Sequence, residues 1–235
     1  MKKFFLKSLY KRIVNIIFHP FLGMNIKPIP FILKDTDKCL VIAPHPDDES
    51  IGCGGIISRY TKKFKVICLT HGDDNRQAEF DNAMNYLNVE HEILTLKDKH
   101  IIEGYEEFSK IDFREFNYIF VPYIFDQHDD HKAVSILLDK YLKQNKISNE
   151  LNIVFYEVWS AMSMPNYFVD ISRVVENKKN AINFHKSQVN EKDYASKILG
   201  LNQYRGMIIN SKSVECFTVL SVNEFKKVIK VIKGF

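Results

Sequence analysis

From Cys39 onward the chain alternates short apolar runs with longer amphipathic ones, and this alternation limits the possible folds more than any other feature. The runs "CLVIA" and "FKVICLT" are too short for helices and read as buried strands, while residues 50–60 between them have the pattern of a helix. A helix over residues 76–87, strands at "HEILTL" and "YIFVPY", a helix over 132–143 and a strand at "NIVFYEV" continue the pattern. Repeated strand–helix–strand units of this kind specify an α/β fold with a doubly wound, largely parallel sheet covered on both faces. The last third is less regular, with helices expected over 173–185 and 194–204 and a strand at "ECFTVL". At 235 residues the chain needs only one core, so a single domain is expected.

The N-terminus is set apart by charge. The first acidic residue is Asp35, after Lys2, Lys3, Lys7, Lys11, Arg12, Lys27 and Lys34. Residues 4–18 place Phe5, Leu9, Ile13 and Ile16 on one helical face, with Lys3, Lys7 and Lys11 on another. Prolines 20, 28 and 30 then interrupt helical continuity, so residues 1–34 read as a basic amphipathic segment ahead of a domain over 35–235. The segment has no apolar run long enough to span a bilayer, and Lys7 interrupts the stretch a secretory signal needs. Two readings stay open: a helix packed on its own domain, or peripheral contact with an anionic membrane through residues 1–20. The rest of the chain mixes both signs of charge without basic–aromatic interleaving, which argues against nucleic acid as a partner. Cys39, Cys53, Cys68 and Cys216 form no C-x-x-C pair and read as small core residues, a usage that suits the cytoplasm, including the cytoplasmic face of a membrane.

In open α/β sheets ligands bind beyond the carboxyl ends of the strands, and the unusual residues lie there. Directly after "CLVIA" come Pro44, His45, Pro46, Asp47, Asp48 and Glu49, then Gly52, Gly54 and Gly55. The spacing lacks the G-x-G-x-x-G of a dinucleotide turn, and the glycines fall inside the expected helix, where they permit close packing. Adjacent carboxylates with no basic neighbour call for a cation, although one aspartate is equally explained as a helix N-cap. After "YIFVPY" comes a second such run, Asp126, Gln127, His128, Asp129, Asp130 and His131. Histidine and carboxylate donors without thiolates suit zinc, and an open catalytic zinc site needs three protein ligands plus water.

These residues resemble a known family. "PHPDDE" and "HDDH" are similar to the two signatures of PIG-L/LmbE-like N-deacetylases, and the resemblance continues through "THG", Arg76 and Glu79, "YEVW", and His185 to Gln188. It implies a Rossmann-like three-layer fold and a zinc-dependent hydrolase that removes the acetyl group from an N-acetylglucosamine-type sugar or glycolipid, as in glycan biosynthesis. It also implies His45, Asp48 and His131 as zinc ligands, Asp47 as general base, and His128 as the group that stabilises or protonates the tetrahedral intermediate. Asp130 is implied as the acid that orients a histidine, and Arg76 as a substrate-positioning residue. His71, at a strand end, is a further candidate substrate contact. Arg76 has an alternative as a surface pair with Glu79, and Tyr156 and Trp159 are open between a sugar-stacking wall and core. His185 has no role legible from spacing. The chain departs from the family at Pro44, at Asp129 and in the short stretch between "THG" and Arg76, which leaves the glycan open. An amidase on a thiol conjugate or acylated natural product, and a non-catalytic sugar-binding module, are the rival readings. Oligomeric state is not legible.

Overall fold

The computed structural model describes residues 27–148, 150–189 and 193–233. The basic amphipathic segment expected over residues 4–18, and the membrane contact through residues 1–20, lie outside the described residues. In chain order the elements are β1 (Ile29–Pro30), β2 (Cys39–Ala43), α1 (Asp48–Arg59), β3 (Phe64–Cys68), α2 (Asp74–Leu87) and β4 (Glu90–Ile93). Next come α3 (Tyr105–Phe108), β5 (Tyr118–Pro122), α4 (Asp129–Gln144), β6 (Asn152–Tyr156), β7 (Tyr167–Asp170) and α5 (Val175–Phe184). The last are α6 (Lys186–Val189), α7 (Tyr194–Gly206), β8 (Val214–Ser221) and α8 (Val222–Lys233).

Among the described residues the strands form one sheet in the order β1-β7-β8-β6-β5-β2-β3-β4. The strands from β4 through β6 pair in parallel, whereas β8 runs antiparallel to both β6 and β7. The chain builds outward from β2 through β3 to β4, then returns to pair β5 with the other side of β2. This reversal puts a topological switch point between the carboxyl ends of β2 and β5, where such sheets bind ligands.

Alternation along β2 explains the three layers. Cys39, Val41 and Ala43 join a core with Ile51 and Ile56 of α1 and Phe80 and Met84 of α2. Leu40 and Ile42, on the opposite face, join Val134 and Leu138 of α4 and Phe225 and Ile229 of α8. A strand covered on both faces carries no polar side, as its continuous apolar run requires. Helix α1 lies close on the sheet because Gly52 has no side chain: a Cβ there would sit 2.2 Å from the Tyr156 ring.

The expected strands and helices are present, with differences at their ends. β4 stops at Ile93 instead of continuing through "HEILTL", although Leu94 and Leu96 still donate backbone hydrogen bonds to the carbonyls of Cys68 (2.8 Å) and Leu69 (2.9 Å). β1, β7 and α8 were not anticipated. β1 is a two-residue pairing with β7, and Phe31 and Leu33 just beyond it enter the core. Among the described residues no helix is long and apolar enough to cross a membrane, and all four cysteines are free thiols buried in the core.

Candidate active site

The turn after β2 is strained. Asp47 has φ of 132°, a region that side-chain-bearing residues rarely adopt and that persists only where neighbours hold it. Its N–H donates to Glu49 Oε2 at 3.2 Å, and Arg76 Nη2 donates to the carbonyl of Pro46 at 3.1 Å. Arg76 reaches across Gly72, where a Cβ would meet the arginine Cδ at 2.8 Å and where φ is +67°. Asp47 occupies the N-cap position of α1, yet its carboxylate makes no capping bond. The N-cap reading therefore does not account for Asp47.

Asp48 Oδ2 is the centre of the site. It accepts from the His45 N–H at 3.0 Å and lies 3.2 Å from His45 Nδ1 and 3.3 Å from His131 Nε2. The outer nitrogens of both rings face further carboxylates. His45 Nε2 is 3.1 Å from Asp130 Oδ2 and 3.1 Å from Asp98 Oδ1, and His131 Nδ1 is 3.3 Å from Asp126 Oδ1. Asp130 also accepts from the Lys99 N–H at 2.7 Å, which ties it to the loop after β4. His128 caps α4: its Nδ1 accepts the Asp130 N–H at 3.2 Å, and its ring lies 4.8 Å from that of His45 and 4.9 Å from that of His131. With Nδ1 an acceptor, neutral His128 carries its proton on Nε2.

Electrostatics separate the two adjacent aspartates. Burial pushes Asp47 up, Asp48 adds to the shift, and His185 and Arg76 only partly offset it. Burial acts on Asp48 in the same direction, but His131 and His45 outweigh it and hold its carboxyl well below the usual range. His131 is fully buried; burial disfavours its charge, yet Asp48 and Asp126 carry its pKa up to about 10. His128 is depressed by burial and by the two neighbouring histidines.

His131 supplies a test for a metal. Its ring is inaccessible, and neither nitrogen makes a hydrogen bond of acceptable geometry, although a carboxylate stands 3.3 Å from each. A buried imidazole between two carboxylates, with Asp47, Glu49 and Asp130 also buried, needs positive charge, and a divalent cation provides it without protonating the ring. The donor atoms of His45, His128 and His131 lie within 4.8 Å of one another, as do those of His45, Asp98 and Asp130. The donors are nitrogen and oxygen only, and the outer carboxylates on His45 and His131 follow the carboxylate–histidine pattern of zinc sites. The residues present fit the ion.

The two His/Asp-rich runs thus face each other, with Asp130 against His45. Arg76 is not paired with Glu79, whose carboxylate instead accepts from Ser187 N at 2.8 Å and Ser187 Oγ at 2.6 Å. His71 lies half-buried in the turn after β3, beside Gly72. Tyr156 belongs to the core and donates its hydroxyl to the Ile42 carbonyl at 2.8 Å, whereas Trp159 is 40% exposed. Sequence reasoning assigned no role to Asp126, Asp98 or His185, and read Glu49 as an acid that starts the helix or supports the site from behind the ligands. Asp126 had its signal in the same run as His131. Asp98, alone in a polar loop, had none. Glu49 and His185 form a pair, His185 Nε2 lying 3.3 Å from Glu49 Oε1, so that the "HKSQ" histidine supports the carboxylate that holds the Asp47 backbone.

The fold is a doubly wound α/β sheet whose switch point gathers two His/Asp-rich turns, a cluster with the donors to hold a metal ion. Residues 40–142 match the family model described as PIG-L: GlcNAc-PI de-N-acetylase. The chain is similar to diacetylchitobiose deacetylase from Thermococcus kodakarensis, at 29% identity over 67% of this chain and 72% of that protein. Among solved structures it superposes on N,N'-diacetylchitobiose deacetylase from Pyrococcus horikoshii with a TM-score of 0.68, at 24% identity over 91% of this chain and 93% of that one. It also superposes on GalB, a 4-carboxy-2-hydroxymuconate hydratase from Pseudomonas putida, with a TM-score of 0.63, at 17% identity over 78% of this chain and 96% of that one. The fold therefore houses more than one reaction, and the chemistry must be argued from the site.

Proposed function

We propose that the protein is a zinc-dependent deacetylase that hydrolyses the N-acetyl group of an N-acetylglucosamine-type sugar or glycoconjugate to acetate and a free amine. The observation that carries this is the placement of Asp48 Oδ2 between His45 Nδ1 and His131 Nε2, with the unused carboxylate of Asp47 one residue away. His45, Asp48 and His131 would hold the ion; zinc there supplies Lewis acidity, drawing electron density from an amide carbonyl and lowering the pKa of a neighbouring water. Asp126 and Asp130 fix the two imidazoles from behind, keeping Nε2 of His131 and Nδ1 of His45 as donors. Asp47, neither capping the helix nor paired to a cation's ligand, takes the proton of the attacking water. His128 Nε2 donates toward the oxygen on which negative charge develops and delivers a proton to the departing nitrogen. Arg76 holds the Pro46 carbonyl and so the turn that carries Asp47, and with His71 borders the sugar.

The sugar class rests on the two similar proteins named as diacetylchitobiose deacetylases and on the description of the matching family model. The test is acetate release from N-acetylglucosamine, N,N'-diacetylchitobiose and an N-acetylglucosaminyl lipid, with and without a chelator. Release that the chelator abolishes and zinc restores is the expected result. No acetate from any of them, with zinc bound at one ion per chain, would remove this reading.

A further inference from the structure

We propose that Trp159 forms a stacking subsite for a second sugar ring, so that the preferred substrate carries its N-acetyl group on a unit joined to at least one further pyranose. This rests on the deacetylase reading above and adds to it the size of the substrate. The argument begins with the loop that follows β6. β6 lies beside β5, and β5 beside β2, so the loop opens on the same edge as the His/Asp site, about 10 Å from the end of β2 at two strand spacings.

That loop is tied directly to the site. Asp126, whose Oδ1 faces His131, uses its other oxygen to accept the N–H groups of Trp159 at 2.9 Å and Ser160 at 3.0 Å. Further along, Glu157 accepts the Met162 N–H at 2.7 Å and pairs with Arg205, which also donates to the Met162 carbonyl. Val158 and Met162 are buried, at 5% and 2% exposure, while Trp159 between them is 40% exposed and has its ring 5.4 Å from that of Tyr194. A large apolar ring gains by burial, and a loop held at this many points loses little entropy on meeting a ligand. The rigid backbone thus presents an indole to solvent beside the reacting centre. Indole and phenol rings offer electron-rich faces, and a pyranose offers a face of C–H bonds polarised by ring oxygens, so the two stack without needing a fixed pattern of hydrogen bonds.

Trp159 is the sole tryptophan of the chain, so its fluorescence reports on this place alone. The zinc-loaded, full-length protein is titrated with N-acetylglucosamine and with N,N'-diacetylchitobiose, and kcat/KM is measured for both in wild type, Trp159→Ala and Trp159→Phe. The disaccharide is expected to shift the emission more than the monosaccharide. Trp159→Ala should lower the ratio of disaccharide to monosaccharide kcat/KM about tenfold, through KM, and Trp159→Phe should restore part of it. Zinc content should stay at the wild-type level, because the backbone N–H and not the indole holds Asp126. An unchanged ratio in Trp159→Ala, with acetate still released, overturns the subsite and leaves the deacetylase reading standing. If neither sugar is hydrolysed, the deacetylase reading fails. The fluorescence titration still judges the subsite, and emission unmoved by the disaccharide overturns it as well.

Discussion

Asp48 opens helix α1 with its carboxylate turned to His45 and His131, whereas Asp47, one residue earlier at φ 132°, has a carboxylate that caps nothing. Two identical side chains thereby sit in different surroundings, which is the basis of the different tasks proposed for them. Asp47→Asn keeps size and much of the hydrogen bonding but removes the proposed proton acceptor, so zinc should remain while kcat falls about 10²-fold or more. Metal analysis beside steady-state kinetics checks this, and near-normal turnover with zinc in place would move the base to Glu49 or His128. His131→Ala removes one of the three proposed ligands and should lose most of the zinc; metal content equal to wild type would take His131 out of the ligand set. These residues were legible because acids and histidines crowd two strand ends. The support beneath them was not: His185 stands 135 positions from Ser50 in the chain, and nothing in its local run shows that it will meet Glu49 and Ser50.

At the scale of elements, the clearest dependence is between α5, β8 and α1. Lys178 of α5 is buried with its Nζ 2.7 Å from Glu215 of β8, and Glu215 also accepts the N–H groups of Gly55 and Ile56 of α1 at 2.8 Å each. Removing one member of a buried pair leaves an uncompensated charge, so Lys178→Met should destabilise the fold by about 3–5 kcal/mol. Lys178→Met with Glu215→Gln should recover part of that loss, and denaturant midpoints for both variants decide; an equal loss in the double variant would mean that the lysine acts by packing alone. The parallel strands were readable because burial on both faces makes them continuous apolar runs. β7 escaped because "YFVD" is short and mixed, and α8 because its lysines hide the apolar stripe of Phe225 and Ile229. β1 is only two residues long, too little for a periodic signal.

For the molecule as a whole, the two His/Asp turns are a junction between the halves of the sheet, since one leaves β2 and the other leaves β5. Several buried carboxylates converge there, and their mutual repulsion opposes the closed arrangement unless a cation is bound. An ion that binds the folded chain and not the unfolded one stabilises it by about 4 kcal/mol when free ion is 1,000 times Kd. For a chain of this size each kcal/mol moves Tm by about 2–4 °C, so stripping the zinc should lower Tm by about 8–16 °C. Zinc added back should restore Tm in the wild type but much less in Asp48→Asn, where a charged donor has become neutral. Differential scanning calorimetry on chelated and reloaded protein reads this directly. A wild-type Tm that ignores chelation, while metal analysis shows the ion leaving, would mean that the two turns are held together by the protein alone and that the cation serves only the chemistry.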